Sequence, residues 1–247
     1  MNMTGNTILI TGGGSGIGQG LAKALHEAGN QIIISGRRKG ALEETATASP
    51  GMAFEILDIG EAAAIPAFAA RVAAKFPALN VLINNAGIML AEDALAEPFD
   101  LATAEATITT NLLGPIRLTA ALLPHLRKQR QATIINVSSG LAFVPLAMTP
   151  TYSATKAALH SYSQSLRYQL RKTSVEVLEL APPAVATDLM PGSRTNPRSM
   201  PLSDYISESM ALLKSANDEI LVERVKMLRN AEKDGSYGNV FGMLNPA

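Results

Sequence analysis

"TILITGGGSGIGQGLAKAL", residues 7–25, joins a short apolar run, a cluster of glycines and a helical repeat without a break. Thr7 to Thr11 is rich in β-branched residues and reads as a strand. Ile17, Leu21, Ala24 and Leu25 recur at helical spacing and form one apolar side of a helix. Between them stand Gly12, Gly16 and Gly18, in the spacing Gly-x-x-x-Gly-x-Gly. Glycine at a strand-to-helix turn admits positive φ and lets a phosphate approach without meeting a Cβ. The helix start adds unpaired N–H groups and the positive end of its dipole. The strict Gly-x-Gly-x-x-Gly string is absent in every register, and so is the Gly-Lys-Ser/Thr of a Walker loop. The stretch therefore predicts a phosphate-binding turn of a different spacing.

The same alternation continues along the chain. Apolar runs occur at 31–35, 53–58, 81–85, 133–139 and 175–181, separated by stretches long enough for crossover helices. Runs such as "III" and "VLI" are apolar at successive positions, as strands covered on both faces are. The expectation is an α/β fold, a doubly wound parallel sheet of at least six strands with helices on both faces. No linker divides the 247 residues, so one domain is expected over 1–247. Five prolines in "PPAVATDLMPGSRTNPRSMP", 182–201, resist regular structure and mark a substrate lid, which we extend to 182–215. Residues 216–247 read as a helical C-terminal segment, with Gly235 a helix stop and no convincing seventh strand.

Composition narrows the function. Lys plus Arg and Asp plus Glu each total 21, so no basic surplus tracks nucleic acid. Cysteine is absent, and His26, His125 and His160 lack zinc spacing, so no metal centre is expected. The N-terminus lacks the basic start and apolar length of a signal peptide or membrane span, and a cytoplasmic location is expected.

Dinucleotide sites that accept a free ribose 2′-hydroxyl place a carboxylate at the end of the second strand. Here that strand ends in Ser35, Gly36, Arg37 and Arg38. A carboxylate would repel a 2′-phosphate, whereas Arg37 grips one through a charge-assisted contact. NADP(H) is therefore favoured over NAD(H). Asp58 closes the third run and Asn85-Ala86-Gly87 the fourth, where the cleft beyond the strand ends should lie.

The turn Thr11-Gly-x-x-x-Gly-Ile-Gly18, then Asn84-Asn85-Ala86-Gly87, Asn111, Ser138-Ser139 and Tyr152-x-x-x-Lys156 follow in order. In this set the chain resembles the short-chain dehydrogenase/reductase family over roughly residues 5–190. The resemblance implies a single Rossmann-type domain and a catalytic tetrad of Asn111, Ser139, Tyr152 and Lys156. It implies cofactor contacts from Gly12, Ser15, Gly16, Ile17, Gly18, Arg37, Arg38, Asp58, Ile59, Asn85, Ala86, Gly87, Tyr152, Lys156, Val185 and Thr187, with Lys156 anchoring the ribose hydroxyls, and a homodimer or homotetramer paired through helices around 100–127 and 151–172. Pro183 stands where the family has glycine, and Ser15 where many NADP-preferring members have Lys or Arg. The double-proline turn and helical tail are more similar to the family's DltE-like branch.

The chemistry implied is hydride transfer between the nicotinamide and a ketone, aldehyde or secondary alcohol. Tyr152 exchanges the proton with the substrate oxygen, Ser139 hydrogen-bonds that oxygen, Lys156 lowers the tyrosine pKa, and Asn111 holds a water that links the lysine to solvent. Spacing of four residues puts Tyr152 and Lys156 on one helix face. Tyr168 and Lys172 repeat the spacing, but a rotation of roughly 160° carries them to the far side. Leu141, Phe143 and Met190, with Val144, Met148 and Leu189, are expected to wall an apolar substrate pocket. An epimerase or dehydratase that uses the nicotinamide transiently, or a redox sensor without turnover, is the alternative.

Overall fold

β1 (Thr7–Thr11), β2 (Gln31–Gly36), β3 (Ala53–Ile56), β4 (Leu79–Asn84), β5 (Ala132–Val137) and β6 (Val175–Leu180) form on the six apolar runs. They belong to a computed structural model that describes residues 1–98, 100–215 and 217–246. The crossover helices are α1 (Gly16–Glu27), α2 (Lys39–Thr47), α3 (Ala64–Lys75), α4 (Ala102–Ile108), α5 (Gly114–Leu126) and α6 (Pro150–Leu170). A π-helical turn, Thr109–Leu113, joins α4 to α5, and a 3-10 turn, Gly140–Ala142, follows β5. After β6 come α7 (Leu202–Leu212), β7 (Glu219–Ile220), α8 (Glu223–Asn230) and α9 (Tyr237–Leu244).

All pairings are parallel, in the order β3-β2-β1-β4-β5-β6-β7. The sheet is thus the doubly wound, open α/β architecture that the alternation predicts. Alternate residues of one strand feed two cores. Ile8 and Ile10 pack with Leu21 and Leu25 of α1, whereas Leu9 joins Phe68 and Val72 of α3 and Leu118 and Leu122 of α5. Successive apolar residues are required because both faces are covered.

β7 overturns the expectation of no seventh strand. It pairs with β6 only through Glu179↔Glu219 and Leu180↔Ile220, too few residues to produce a periodic signal. A carboxylate is tolerated there because Arg229 of α8 donates to both oxygens of Glu219, at 2.6 and 3.0 Å. The rest of the C-terminal segment is largely helical; its limits, residues 216 and 247, lie outside the described residues.

Residues 182–201 contain no helix and fold back on themselves. Ala186 donates to the Met200 carbonyl and Met200 to that of Ala184, at 2.9 and 2.8 Å. The second half of the expected lid is different: α7 lies on α1, with Ile206 against Gly20 and Tyr205 fully buried. α7 is part of the core, and the irregular cover is confined to 182–201. Among the described residues no helix is long and apolar enough to cross a membrane.

Candidate active site

The strand order reverses between β1 and β4, whose connections leave in opposite directions and open a crevice beyond their C-terminal ends. Thr11, the last residue of β1, ties the two mouths together. Its hydroxyl accepts from the backbone N–H groups of Asn85 and Ala86, both at 3.0 Å, and its carbonyl accepts from Asn85 Nδ2 at 2.9 Å. Close approach explains two of the glycines. Gly12 has φ +68°, and a Cβ there would lie 2.9 Å from Asn85 Nδ2; a Cβ on Gly18 would lie 2.3 Å from the Gly12 carbonyl oxygen. Only a glycine turn closes this tightly onto α1.

The turn fits the pyrophosphate of a dinucleotide. Ser15, the residue that precedes α1, makes no side-chain cap to the helix. Its Oγ instead accepts from Arg38 Nη2 at 2.9 Å. The first N–H groups of α1, from Gly16, Ile17 and Gly18, are left to an outside acceptor.

The other residues expected at the cofactor surround this turn. Arg37 is exposed at the end of β2, with Nη1 3.9 Å from Asp58 Oδ2. Asp58 also accepts from Gly60 N through Oδ1 at 2.9 Å. Ile59 is buried, and a Cβ on Gly114 would lie 2.6 Å from its Cγ1, so its side chain packs inward on α5. Gly87 borders Asn111 and Lys156: a Cβ there would stand 3.3 Å from Asn111 Oδ1 and 3.8 Å from Lys156 Nζ. Val185 and Thr187 are the buried side chains of the irregular cover's first turn, with Thr187 against Gly16.

Ser139 and Tyr152 meet where β5 ends and α6 begins. The Ser139 hydroxyl accepts from Leu141 N at 3.1 Å, which sets its rotamer. Tyr152 is 6% exposed, and burial pushes its phenol up to about 12, a rise that the adjacent Ser139 hydroxyl opposes. Lys156 is 4% exposed, and burial pulls it down to about 8, against the attraction of Glu179. Its Nζ lies over the Tyr152 ring, 5.5 Å from the centroid, and donates to the Val137 carbonyl at 2.8 Å. The lysine is on the expected helix face, but in this arrangement burial outweighs any lowering of the tyrosine.

Asn111 sits in the π-helical turn with its side chain committed to the loop after β4. Oδ1 accepts from Ile88 N at 2.9 Å and Nδ2 donates to Ile88 O at 2.8 Å. A water link to Lys156 would have to use the Asn111 backbone, which a π-turn frees from regular pairing. Of the proposed pocket residues, Leu141 follows Ser139 directly and Met190 lies in the irregular cover, both half-buried. Phe143 points elsewhere: its ring meets His160 edge-on at 5.0 Å and the Arg229 guanidinium at 4.9 Å. Tyr168 is exposed under Arg171, and Lys172 lies beyond the last residue of α6, so the repeated spacing plays no part in the cleft.

A family model described as short chain dehydrogenase matches residues 6–198. The chain belongs to the short-chain dehydrogenase family. Within it, the chain is 43% identical to the uncharacterized oxidoreductase DltE of Bacillus subtilis, over 99% of this chain and 98% of that protein. This places it in the DltE-like branch and makes it an oxidoreductase. A short-chain dehydrogenase from Burkholderia cenocepacia, solved in complex with NADP, superposes with a TM-score of 0.83 at 26% identity, covering 99% of both chains. A 3-ketoacyl-(acyl-carrier-protein) reductase from Brucella melitensis, complexed with NADH, superposes at 0.78 and 28% identity, covering 87% of this chain and 93% of that one.

Sequence reasoning on this short-chain dehydrogenase missed a polar row behind the site. Asn84, Asn136, Glu179 and Glu219 occupy matched positions on β4 to β7. Asn84 Nδ2 donates to Asn136 Oδ1 and Thr119 Oγ1, and Asn136 Nδ2 to Ser163 Oγ. Glu179 accepts from Ser138 Oγ at 2.5 Å and meets His160 Nδ1 at 2.7 Å. The signal was the run "VEVLELA", which carries two acids, Glu176 and Glu179, among apolar residues. His160, Glu179 and Glu219 offer atoms within 4.8 Å of one another. Arg229 already holds both oxygens of Glu219 and Ser138 one oxygen of Glu179, so the protein's own donors take up these positions.

Proposed function

We propose that the chain is a carbonyl reductase or alcohol dehydrogenase that transfers a hydride between NADP(H) and a ketone, aldehyde or secondary alcohol. The observation that carries this reading is the meeting of the Ser139 and Tyr152 hydroxyls beside Lys156, at the crevice where the glycine turn opens. A bound nicotinamide supplies the hydride in reduction and accepts it in oxidation. Tyr152 gives its proton to the carbonyl oxygen, which its raised pKa keeps available at neutral pH. Ser139 donates to the same oxygen as negative charge develops there. Lys156 adds a positive charge to a buried site, where a charge acts more strongly than in water.

NADP(H) preference is supported by Arg37 and Arg38 at the end of β2, with the Arg38 guanidinium drawn to Ser15 at the glycine turn. Arg38 thereby brings positive charge to the place where Ser15 itself has none. Exposed Leu90, Met148 and Leu189 near the cleft favour an apolar substrate. A panel of ketones, aldehydes and secondary alcohols with both cofactors, followed by nicotinamide absorbance, tests the reading. Product without net absorbance change would favour an epimerase or dehydratase; cofactor binding without any product would favour a sensor.

Self-association is part of the proposal. Leu101, Ile108 and Leu113, on and beside α4, are large apolar side chains left exposed, and they cover themselves by pairing with a second copy. Sedimentation at micromolar concentration should give a dimer or tetramer; a monomer would reject this.

A further inference from the structure

Within the polar row, Glu179 stands apart. Asn84 and Asn136 are neutral, and Glu219 has an arginine on both oxygens, which holds its carboxyl below the ordinary range. Glu179 is a fully buried carboxylate whose direct partners are a serine hydroxyl and an imidazole. A buried ion without compensation costs several kcal/mol. Its place on the sheet shows where compensation comes from. Ser138, which clamps Glu179, immediately follows Val137, whose carbonyl receives the Lys156 ammonium. Consecutive residues of one strand end thus hold the anion and the cation.

His160 connects this pair to the surface. It lies one helical turn beyond Lys156 on α6, with Nδ1 on Glu179 and Nε2 on Gln164, at 2.7 and 3.1 Å. Its side chain is 17% exposed, while that of Glu179 is 0%. The groups facing the carboxylate are Ser138 from the end of β5, Lys156 and His160 from α6, Glu219 from β7 and Arg229 from α8.

We infer that Glu179 is a positioning residue for hydride transfer: clamped by Ser138 and His160, its carboxylate holds Lys156 as the ammonium, and the charge on His160 sets how strongly. This rests on the roles given to Tyr152 and Lys156 above. When His160 is neutral, the carboxylate acts in full on Lys156. When His160 is protonated, the imidazolium balances the carboxylate and the lysine feels less of it. The hydrogen bond to Glu179 raises the His160 pKa against the opposing effect of burial, so the exchange falls above the ordinary range for histidine.

The test reads Lys156 directly, by ¹³Cε NMR titration of the full-length protein without substrate, with the resonance assigned by its loss in Lys156→Met. Glu179→Gln should move the Lys156 titration downward from about 8 by about one unit or more. Glu219→Gln, one strand further out, should leave it in place. If Glu179→Gln does not fold, the double variant Glu179→Leu/His160→Leu removes both members without stranding a charge and should give the same downward shift. A merely structural Glu179 would lower the melting temperature and leave the titration unmoved. An unmoved titration in the Glu179 variants, or an equal shift in Glu219→Gln, overturns the inference. Since no turnover is needed, a substrate screen that fails leaves this readout intact. Where turnover is found, the basic limb of the reductive rate should move down with the lysine while KM for NADPH is unchanged.

Discussion

The Lys156 ammonium lies over the Tyr152 ring, 5.5 Å from its centroid, and hydrogen-bonds to the Val137 carbonyl. In this geometry the two groups share a burial cost that pulls them in opposite directions. The phenol rises to about 12 and the lysine falls to about 8. At neutral pH the proposed acid is protonated and its partner charged, which is the state reduction needs. As pH rises through about 8 the ammonium is lost first. Reductive kcat/KM should therefore decline from about pH 8 upward, measured as a pH-rate profile. Tyr152→Phe should bind NADPH normally and lose turnover by about 10²- to 10⁴-fold; near-normal turnover would remove Tyr152 from the mechanism.

Burial of the Lys156 charge opposes stability. The lysine's folded-state pKa lies below the ordinary 10.5, so burying the charge opposes folding at every pH below about 8. The opposition fades as pH rises from there toward 10.5, where the unfolded chain also loses the proton. Lys156→Met should then stabilise the fold at pH 7 by about 1–3 kcal/mol while turnover is lost. The gain stays at the low end of that range because Glu179 and the Val137 carbonyl each lose a partner. Urea denaturation at pH 7 and at pH 10 checks this: the advantage of the variant should shrink at the higher pH.

Cofactor choice is tested at β2. Arg37→Ala or Arg38→Ala removes a cation from the region of the 2′-phosphate. Hydrogen bonds to charged groups contribute about 1.5–3 kcal/mol, so KM for NADPH should rise about 10- to 100-fold. KM for NADH should change by no more than about 2-fold, since that cofactor offers no phosphate there. An equal loss for both cofactors, from steady-state kinetics, would mean that the arginines support only the turn.

Six strands and the glycine turn are legible because each carries a periodic signal on a covered sheet. β7 is not, because two residues show no period and Glu219 is acceptable only once Arg229 is folded against it. Lys156 was identified by spacing and Asn111 through the family resemblance, yet neither says that the asparagine side chain would be spent on Ile88 or the lysine on Val137. Phe143 shows the same limit. A position four residues after Ser139 says nothing about whether a ring turns to the cleft or to His160 and Arg229. Glu179 was visible as an acid in an apolar run, but its meaning depends on Ser138 and His160, which only the fold brings to it.

The tail beyond Gly235 folds as α9 and packs on the loop that precedes α6. Asn245, just past α9, donates from Nδ2 to the Pro145 carbonyl at 3.1 Å and accepts from Ala147 N at 2.6 Å. Those residues belong to the segment between Ser139 and Tyr152, so the C-terminal helix grips the loop that spaces the two proposed reacting hydroxyls. Leu146, Ala147, Met148, Leu244, Asn245 and Pro246 line a cavity of about 210 Å³ at this junction. Asn245→Ala removes both bonds without disturbing α1 or the glycine turn. With each bond contributing about 1 kcal/mol, kcat/KM for the carbonyl substrate should fall about 10-fold or more. KM for NADPH should change little, and the melting temperature should fall by only a few degrees. A parallel rise in KM for NADPH would show that the tail supports the whole crevice rather than its substrate wall.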